Sequence, residues 1–188
     1  MDKYRREQLA RYYRWLRLYG YNDSHSGNAS CRHRHSNAYY ITPTGACADT
    51  ITAERLIYSE LDRAPPKSAS LDSELHRQVY LKYPEVGAIL HSHVPHLVAI
   101  TMDGKDFVPE DFEGQYYFQK IPVVDLPYDK VLSDAPGIIT KLLGENPIVV
   151  VRGHGAYARG ESLDQAYKWT CSAEMSAKTA WLTKHFRG

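Results

Sequence analysis

What the chain lacks narrows its function first. No apolar run approaches the roughly 20 residues of a membrane-spanning helix, and the polar start has no signal-peptide core, so a cytoplasmic location is the expectation. The net charge is only +1, from 23 Lys and Arg against 22 Asp and Glu, which leaves no electrostatic footprint for nucleic acid or an acidic membrane. Cysteine is scarce and odd in number. Cys31, Cys47 and Cys171 show no C-x-x-C spacing, which argues against a disulfide framework and a cysteine zinc site, and they read as small packing residues. No segment repeats and no low-complexity linker divides the chain, so residues 1–188 are expected to form a single domain. The one surplus is tyrosine, at 15 residues, an amphipathic side chain suited to half-buried strands and subunit contacts.

Against that background the histidines stand out. The apolar run Ala88-Ile89-Leu90 reads as a buried strand and ends in His91-Ser92-His93. Residues i and i+2 of a strand project from one face, so both imidazoles can reach one point. His154, flanked by Gly153 and Gly155, follows a second apolar run, Ile148 to Val151. A single His at a strand end is more often a hydrogen-bonded structural residue, and nine histidines allow chance pairs. The coincidence of H-x-H after one strand with a glycine-flanked His after another points to a three-histidine divalent-metal site with an open position for substrate.

Periodicity and punctuation place the remaining elements. Helices are expected over Asp2 to Tyr19, from Leu71–Ser73 to Tyr83, over Pro95 to Thr101, Ser133 to Leu143 and Ser162 to Phe186. The stripe Ile138, Ile139, Leu142 and Leu143 should be buried in the fourth, and Leu163, Ala166, Trp169, Met175 and Trp181 mark the last, which opens on a Ser162-x-x-Gln165 capping box. Strands are expected over Asn37 to Thr42, Leu56 to Leu61, Val86 to His93, Val149 to Val151 and Gly155 to Ala158. Asn22 to Ser30 and Asp103 to Gly114 read as loops. Gly27-Asn28-Ala29-Ser30 could bring backbone N–H groups to an anion, although a plain turn suits it better, and Thr42-Pro43-Thr44-Gly45 presents hydroxyl and N–H donors together. Asp72, beside the helix start, reads as a first-turn carboxylate stabilised by the helix dipole.

In that order, Gly27-Asn28-Ala29-Ser30, Thr42-Pro43-Thr44-Gly45, Ser70-Leu71-Asp72, His91-Ser92-His93-Val94-Pro95-His96 and Gly153-His154-Gly155 resemble the class II aldolase/adducin family over nearly the whole chain. The resemblance implies a three-layer α/β/α domain with a mainly antiparallel central sheet, assembled as a homotetramer with sites between subunits. It implies that His91, His93 and His154 bind one divalent ion per chain, zinc first and manganese, iron or cobalt as alternatives. Gly27, Asn28, Thr44, Gly45 and Ser70 would hold the phosphate of a small sugar-phosphate substrate, or the anion of a sugar acid, and Asp72 would move the proton. The implied reaction is reversible aldol cleavage of a ketose phosphate or related hydroxy-ketone through a metal-stabilised enediolate.

Three departures from the family pattern bear on that reaction. Leu71 replaces a second serine, which removes a hydroxyl from the anion pocket. Asp72 stands where the family's aldolases carry Glu and its epimerases Asp, yet Gln115 replaces the epimerases' second acid and cannot exchange a proton as a carboxylate does. The aldolases' catalytic tyrosine has only Tyr116 and Tyr117 as candidates, and no C-terminal catalytic tail is expected after the last helix. Epimerase, dehydratase and sugar-acid decarboxylase chemistry on the same scaffold, and a non-catalytic adducin-like module, are the alternatives. Glu74 is expected to be a solvated first-turn carboxylate, and His96 either a structural residue or one that orients a ligand.

Overall fold

The computed structural model describes residues 2–32 and 36–186, and all their side chains except that of Leu132. The chain end at Gly188, on which the expectation about a catalytic tail bears, lies outside them. The strands are β1 (Asn28–Arg32), β2 (Ala38–Ile41), β3 (Ile57–Glu60), β4 (Ala88–Ser92), β5 (Val123–Val124), β6 (Ile148–Val151) and β7 (Gly155–Gly160). Among the described residues they form one sheet in the order β3-β2-β1-β4-β7-β6-β5. Every neighbouring pair is antiparallel except β5–β6.

Helices cover both faces of the sheet, which is why β4 and β6 are apolar runs buried along their whole length rather than alternating strands. On one face, α2 (Ser73–Lys82) and α5 (Val131–Leu142) pack Leu75, Val79 and Ile139 against Ile89, Val149 and Tyr157. On the other, α1 (Asp2–Leu18) sets Leu9, Tyr13 and Leu16 against Ala29 and Leu90. There too Leu97 of α3 (Pro95–Ile100) and Ala173 and Ala177 of α6 (Leu163–Phe186) meet Val150, Ala156 and Ala158. The result is the expected three-layer α/β/α domain. Among the described residues no helix is long and apolar enough to cross a membrane.

Four local expectations are corrected. Asn28 to Ser30 is strand rather than turn, because β2 and β4 take up its backbone groups on both sides. The segment read as a loop up to Gly114 ends in α4 (Phe112–Tyr117), capped by the Asp111 carboxylate, which accepts the Gly114 N–H at 3.0 Å. Ala135 and Ile139 of α5 and Leu143 just past its end face the sheet, and Ile138 is 40% exposed. In α6 the buried face consists, apart from Glu174, of small residues, among them Ala166, Ala173 and Ala177, while Met175 and Trp181 point outward. A stripe chosen by bulk misses a helix that lies close to its sheet through alanines. At the start of α6 half of the expected capping box forms, with Ser162 Oγ accepting the Gln165 N–H at 3.2 Å; the Gln165 side-chain oxygen accepts the N–H of Glu161, one residue before the cap, at 2.7 Å.

Candidate metal centre and active site

The site is built from sheet register. His91 pairs with Asn28 of β1 on one side and with Tyr157 of β7 on the other, so the three side chains stand abreast on the face toward α2. His93 lies just past β4, its backbone N–H donating to Tyr21 O and to Asn22 Oδ1, each at 2.9 Å. His154 sits in the β6–β7 turn, where Gly153 takes φ +66° and the His154 N–H closes onto Val151 O at 3.0 Å. Gly155 permits the assembly. A Cβ there would lie 2.5 Å from Ser92 O and within 3.0 Å of the His93 and His91 rings.

The three side chains converge. His91 Nε2 is 3.2 Å from His93 Nε2 and 3.3 Å from His154 Nε2, and a donor atom from each of the three lies within 4.8 Å of the others. Nitrogens bound at roughly 2.0–2.1 Å around a tetrahedral ion sit about 3.3–3.4 Å apart, so the spacing fits a divalent metal. Protonation points the same way. His91 Nδ1 faces Ala156 O at 3.1 Å, and a carbonyl only accepts, so Nδ1 carries the hydrogen and Nε2 keeps its lone pair. Burial, with the neighbouring imidazoles, pushes His91 far below its ordinary value. Burial and His154 lower His93, and burial lowers His154. With burial keeping all three imidazoles neutral, the lone pair on His91 Nε2 is turned toward His93 and His154, where a cation would be held.

Asp72 stands beside this centre. It occupies the N-cap of α2, yet its carboxylate makes no capping bond. Instead Oδ2 accepts from Asn28 Nδ2 at 2.7 Å and from the Tyr157 hydroxyl at 3.0 Å, and lies 4.0 Å from His91 Nε2. Burial raises its pKa, but His91, His76 and these two hydrogen bonds outweigh it, and the group lies below its ordinary value. It is therefore ionised at neutral pH. Tyr157 is displaced upward by burial and by Asp72, and remains a donor.

A cavity of about 220 Å³ brings together Gly27, Asn28, Thr44, Gly45, Ser70, Asp72 and the three histidines, every candidate site residue of the sequence. Thr44 has its donors engaged within the protein, the hydroxyl on Ala69 O at 2.5 Å and the N–H on Ser68 O at 3.0 Å. The Ser70 hydroxyl accepts the Asp72 N–H at 3.3 Å and keeps its own hydrogen to donate. Leu71 lies at the rim, 81% exposed. Glu74 is held by Arg77 and Gln78 of its own helix, as a first-turn carboxylate. His96 pairs with the buried Glu174 at 2.6 Å, and that carboxylate also accepts the N–H groups of His96 and Leu97 at the start of α3. Gln115 donates to Glu110 O at 2.6 Å, Tyr116 is 76% exposed, and the Tyr117 ring packs 5.5 Å from Trp169.

Sequence reasoning misses several groups around the site. Tyr157 lies flat against His91, ring centroids 4.0 Å apart at 10°, and in the sequence it is only one residue of a strand. The buried His76–Ser30–Tyr80 chain, with both bonds to Ser30 Oγ at 2.7 Å, lies next to Asp72, and His25 lines the cavity. Cross-strand register is the signal for Tyr157, and it is visible only once strands are paired.

A layered fold presenting three convergent neutral imidazoles and an ionised carboxylate in one cavity defines a divalent-metal enzyme of the class II aldolase type. The chain belongs to the Class II Aldolase and Adducin N-terminal domain family, whose family model matches residues 7–181. It is 25% identical over 175 residues to the L-ribulose-5-phosphate 4-epimerase UlaF of Salmonella paratyphi C, covering 84% of this chain and 75% of that protein. The L-fuculose-1-phosphate aldolase of Thermus thermophilus superposes with a TM-score of 0.89 and 28% identity, over 98% of this chain and 97% of that one. A sugar-phosphate aldolase from Thermotoga maritima shares the fold, with a TM-score of 0.79 at 18% identity over 97% and 96% of the two chains.

Proposed function

We propose that the protein is a lyase that reversibly cleaves the carbon–carbon bond of a small ketose phosphate or related hydroxy-ketone, with Asp72 as the proton-transfer group. The observation that carries this is the ionised Asp72 carboxylate, 4.0 Å from His91 Nε2, in the cavity that holds all three imidazoles. His91, His93 and His154 would hold one divalent ion, for which three imidazole nitrogens and an open position favour zinc. Such an ion supplies a Lewis acid that stabilises negative charge on oxygen next to the breaking bond.

The remaining work falls to the chain. Asn28 and Tyr157 keep Asp72 ionised and oriented, ready to take or return a proton at the carbon next to the carbonyl, a role with a typical effect of about 10²–10⁴ in rate. Ser70 and Gly45, which line the cavity with the histidines, offer donors to the substrate's anion, with Gly27 and Thr44 shaping the same cradle. Leu71 in place of a hydroxyl favours a smaller anion or a looser grip on phosphate. In the same reading the working form is a cytoplasmic homotetramer with active sites between subunits.

A second reading, 4-epimerisation, is favoured by the similarity to the ribulose phosphate epimerase and by Asp at position 72. Gln115 counts against it, since its amide offers no exchangeable acid. The deciding experiment incubates the zinc- or manganese-loaded protein with ketose 1-phosphates and ketose 5-phosphates and identifies products by NMR. Release of dihydroxyacetone phosphate or a related three-carbon fragment is expected; an epimer formed without fragments contradicts the lyase reading.

A further inference from the structure

We infer that Tyr157 is a positioning residue, whose hydroxyl fixes the Asp72 carboxylate beside the three histidines while its ring backs His91. The inference rests on the reading of Asp72 as the proton-transfer group. A carboxylate at a helix N-cap normally turns onto the N–H groups of its own first turn. Asp72 does not, and its two side-chain hydrogen bonds come from the sheet instead, from Asn28 and Tyr157. Both donors reach Oδ2, so the carboxylate is pinned by one oxygen; among the described residues no side-chain or backbone donor is recorded on Oδ1, which remains for a proton.

Tyr157 is itself held firmly. Its ring is 2% exposed and stacked on His91, and the His91 ring is fixed from its other nitrogen by Ala156 O, one residue before Tyr157 on the same strand. Phenylalanine would fill the same apolar space without an O–H needing a buried partner. The hydroxyl thus has one evident employment, the link to Asp72. Through it, β7 sets the carboxylate and the first imidazole relative to each other.

The test uses the cobalt-loaded full chain as wild type, Tyr157→Phe, Asp72→Asn and the double variant, each checked for about one equivalent of cobalt and a cooperative thermal transition. The visible absorption of cobalt reports the ligand field without requiring a substrate. Tyr157→Phe is expected to change the wild-type spectrum, because the hydroxyl holds off the metal a carboxylate only 4.0 Å from His91 Nε2, and its removal lets Asp72 turn onto the open position. The double variant should match Asp72→Asn, which has no carboxylate to release. With dihydroxyacetone phosphate as probe, Tyr157→Phe should slow exchange of its C–H with D₂O about tenfold in kcat, with KM within about twofold. A spectrum that Tyr157→Phe leaves unchanged, or alters equally with and without Asp72, overturns the inference, as does an unaltered kcat. Absence of exchange in the wild type counts against the lyase reading alone, and the spectra still decide the role of Tyr157.

Discussion

Asn28 Nδ2 and the Tyr157 hydroxyl, on strands separated by β4, donate to the same oxygen of Asp72 at 2.7 and 3.0 Å. The His91 ring lies between them in the sheet register. A helix end and three central strands therefore meet at one carboxylate, and the site's chemistry follows from that meeting.

If Asp72 moves the proton and is no metal ligand, Asp72→Asn should keep the metal and the fold yet lower kcat by about 10²–10⁴. Steady-state kinetics beside metal content on the same sample checks this. Loss of metal together with activity would instead make Asp72 a ligand.

Gly155→Ala should damage the site from a distance of one methyl group. The new Cβ meets Ser92 O at 2.5 Å, a backbone atom that cannot step aside, and both neighbouring imidazoles. A loss of about 1–3 kcal/mol in urea unfolding is expected, with weakened metal binding. Gly137→Ala is the control, with nothing within 4 Å of its Cβ on α5, and should gain about 0.4–1 kcal/mol.

His76 predicts a pH window for stability. Burial lowers its pKa from 6.5 to about 4, with the Asp72 charge opposing. Above pH 6.5 neither the folded nor the unfolded chain protonates it; between 6.5 and 4 only the unfolded chain does, so stability falls as pH falls through that range. The contribution is on the order of 3 kcal/mol. Urea titrations at about pH 7 and about pH 4.5 should show a smaller acid loss in His76→Gln than in the wild type, the difference isolating His76 from the other lowered histidines.

Leu71→Ser should restore a hydroxyl at the cavity rim with little change in stability, since the side chain is 81% exposed. Inhibition by inorganic phosphate is expected to tighten roughly three- to tenfold, and Ser70→Ala to weaken it by a similar factor. Equal inhibition of all three proteins would place the anion elsewhere.

Much of this site is legible in the sequence because its ligands sit on the plainest local signals. His91 and His93 end an apolar run, and His154 lies between glycines after another. Gly27, Thr44 and Gly45 carry turn chemistry that reads locally, whereas Ser70 and Asp72 enter the site only through the family resemblance, and all of them reach the same cavity. The link from Asn28 and Tyr157 to Asp72 is hidden for the opposite reason. It depends on which residues stand opposite His91, a matter of register between strands far apart in the chain. The alanine face of α6 escapes for a related reason, since closeness to the sheet, rather than side-chain bulk, chose it.

The most direct test of the account is metal content by elemental analysis of the wild type and of His93→Ala, after loading with zinc and removal of excess. About one equivalent per chain in the wild type, absent from a folded His93→Ala, is the predicted result. A wild type that retains no zinc, manganese or cobalt, or a His93→Ala protein that keeps its full equivalent, would contradict the three-histidine centre on which the proposed chemistry depends.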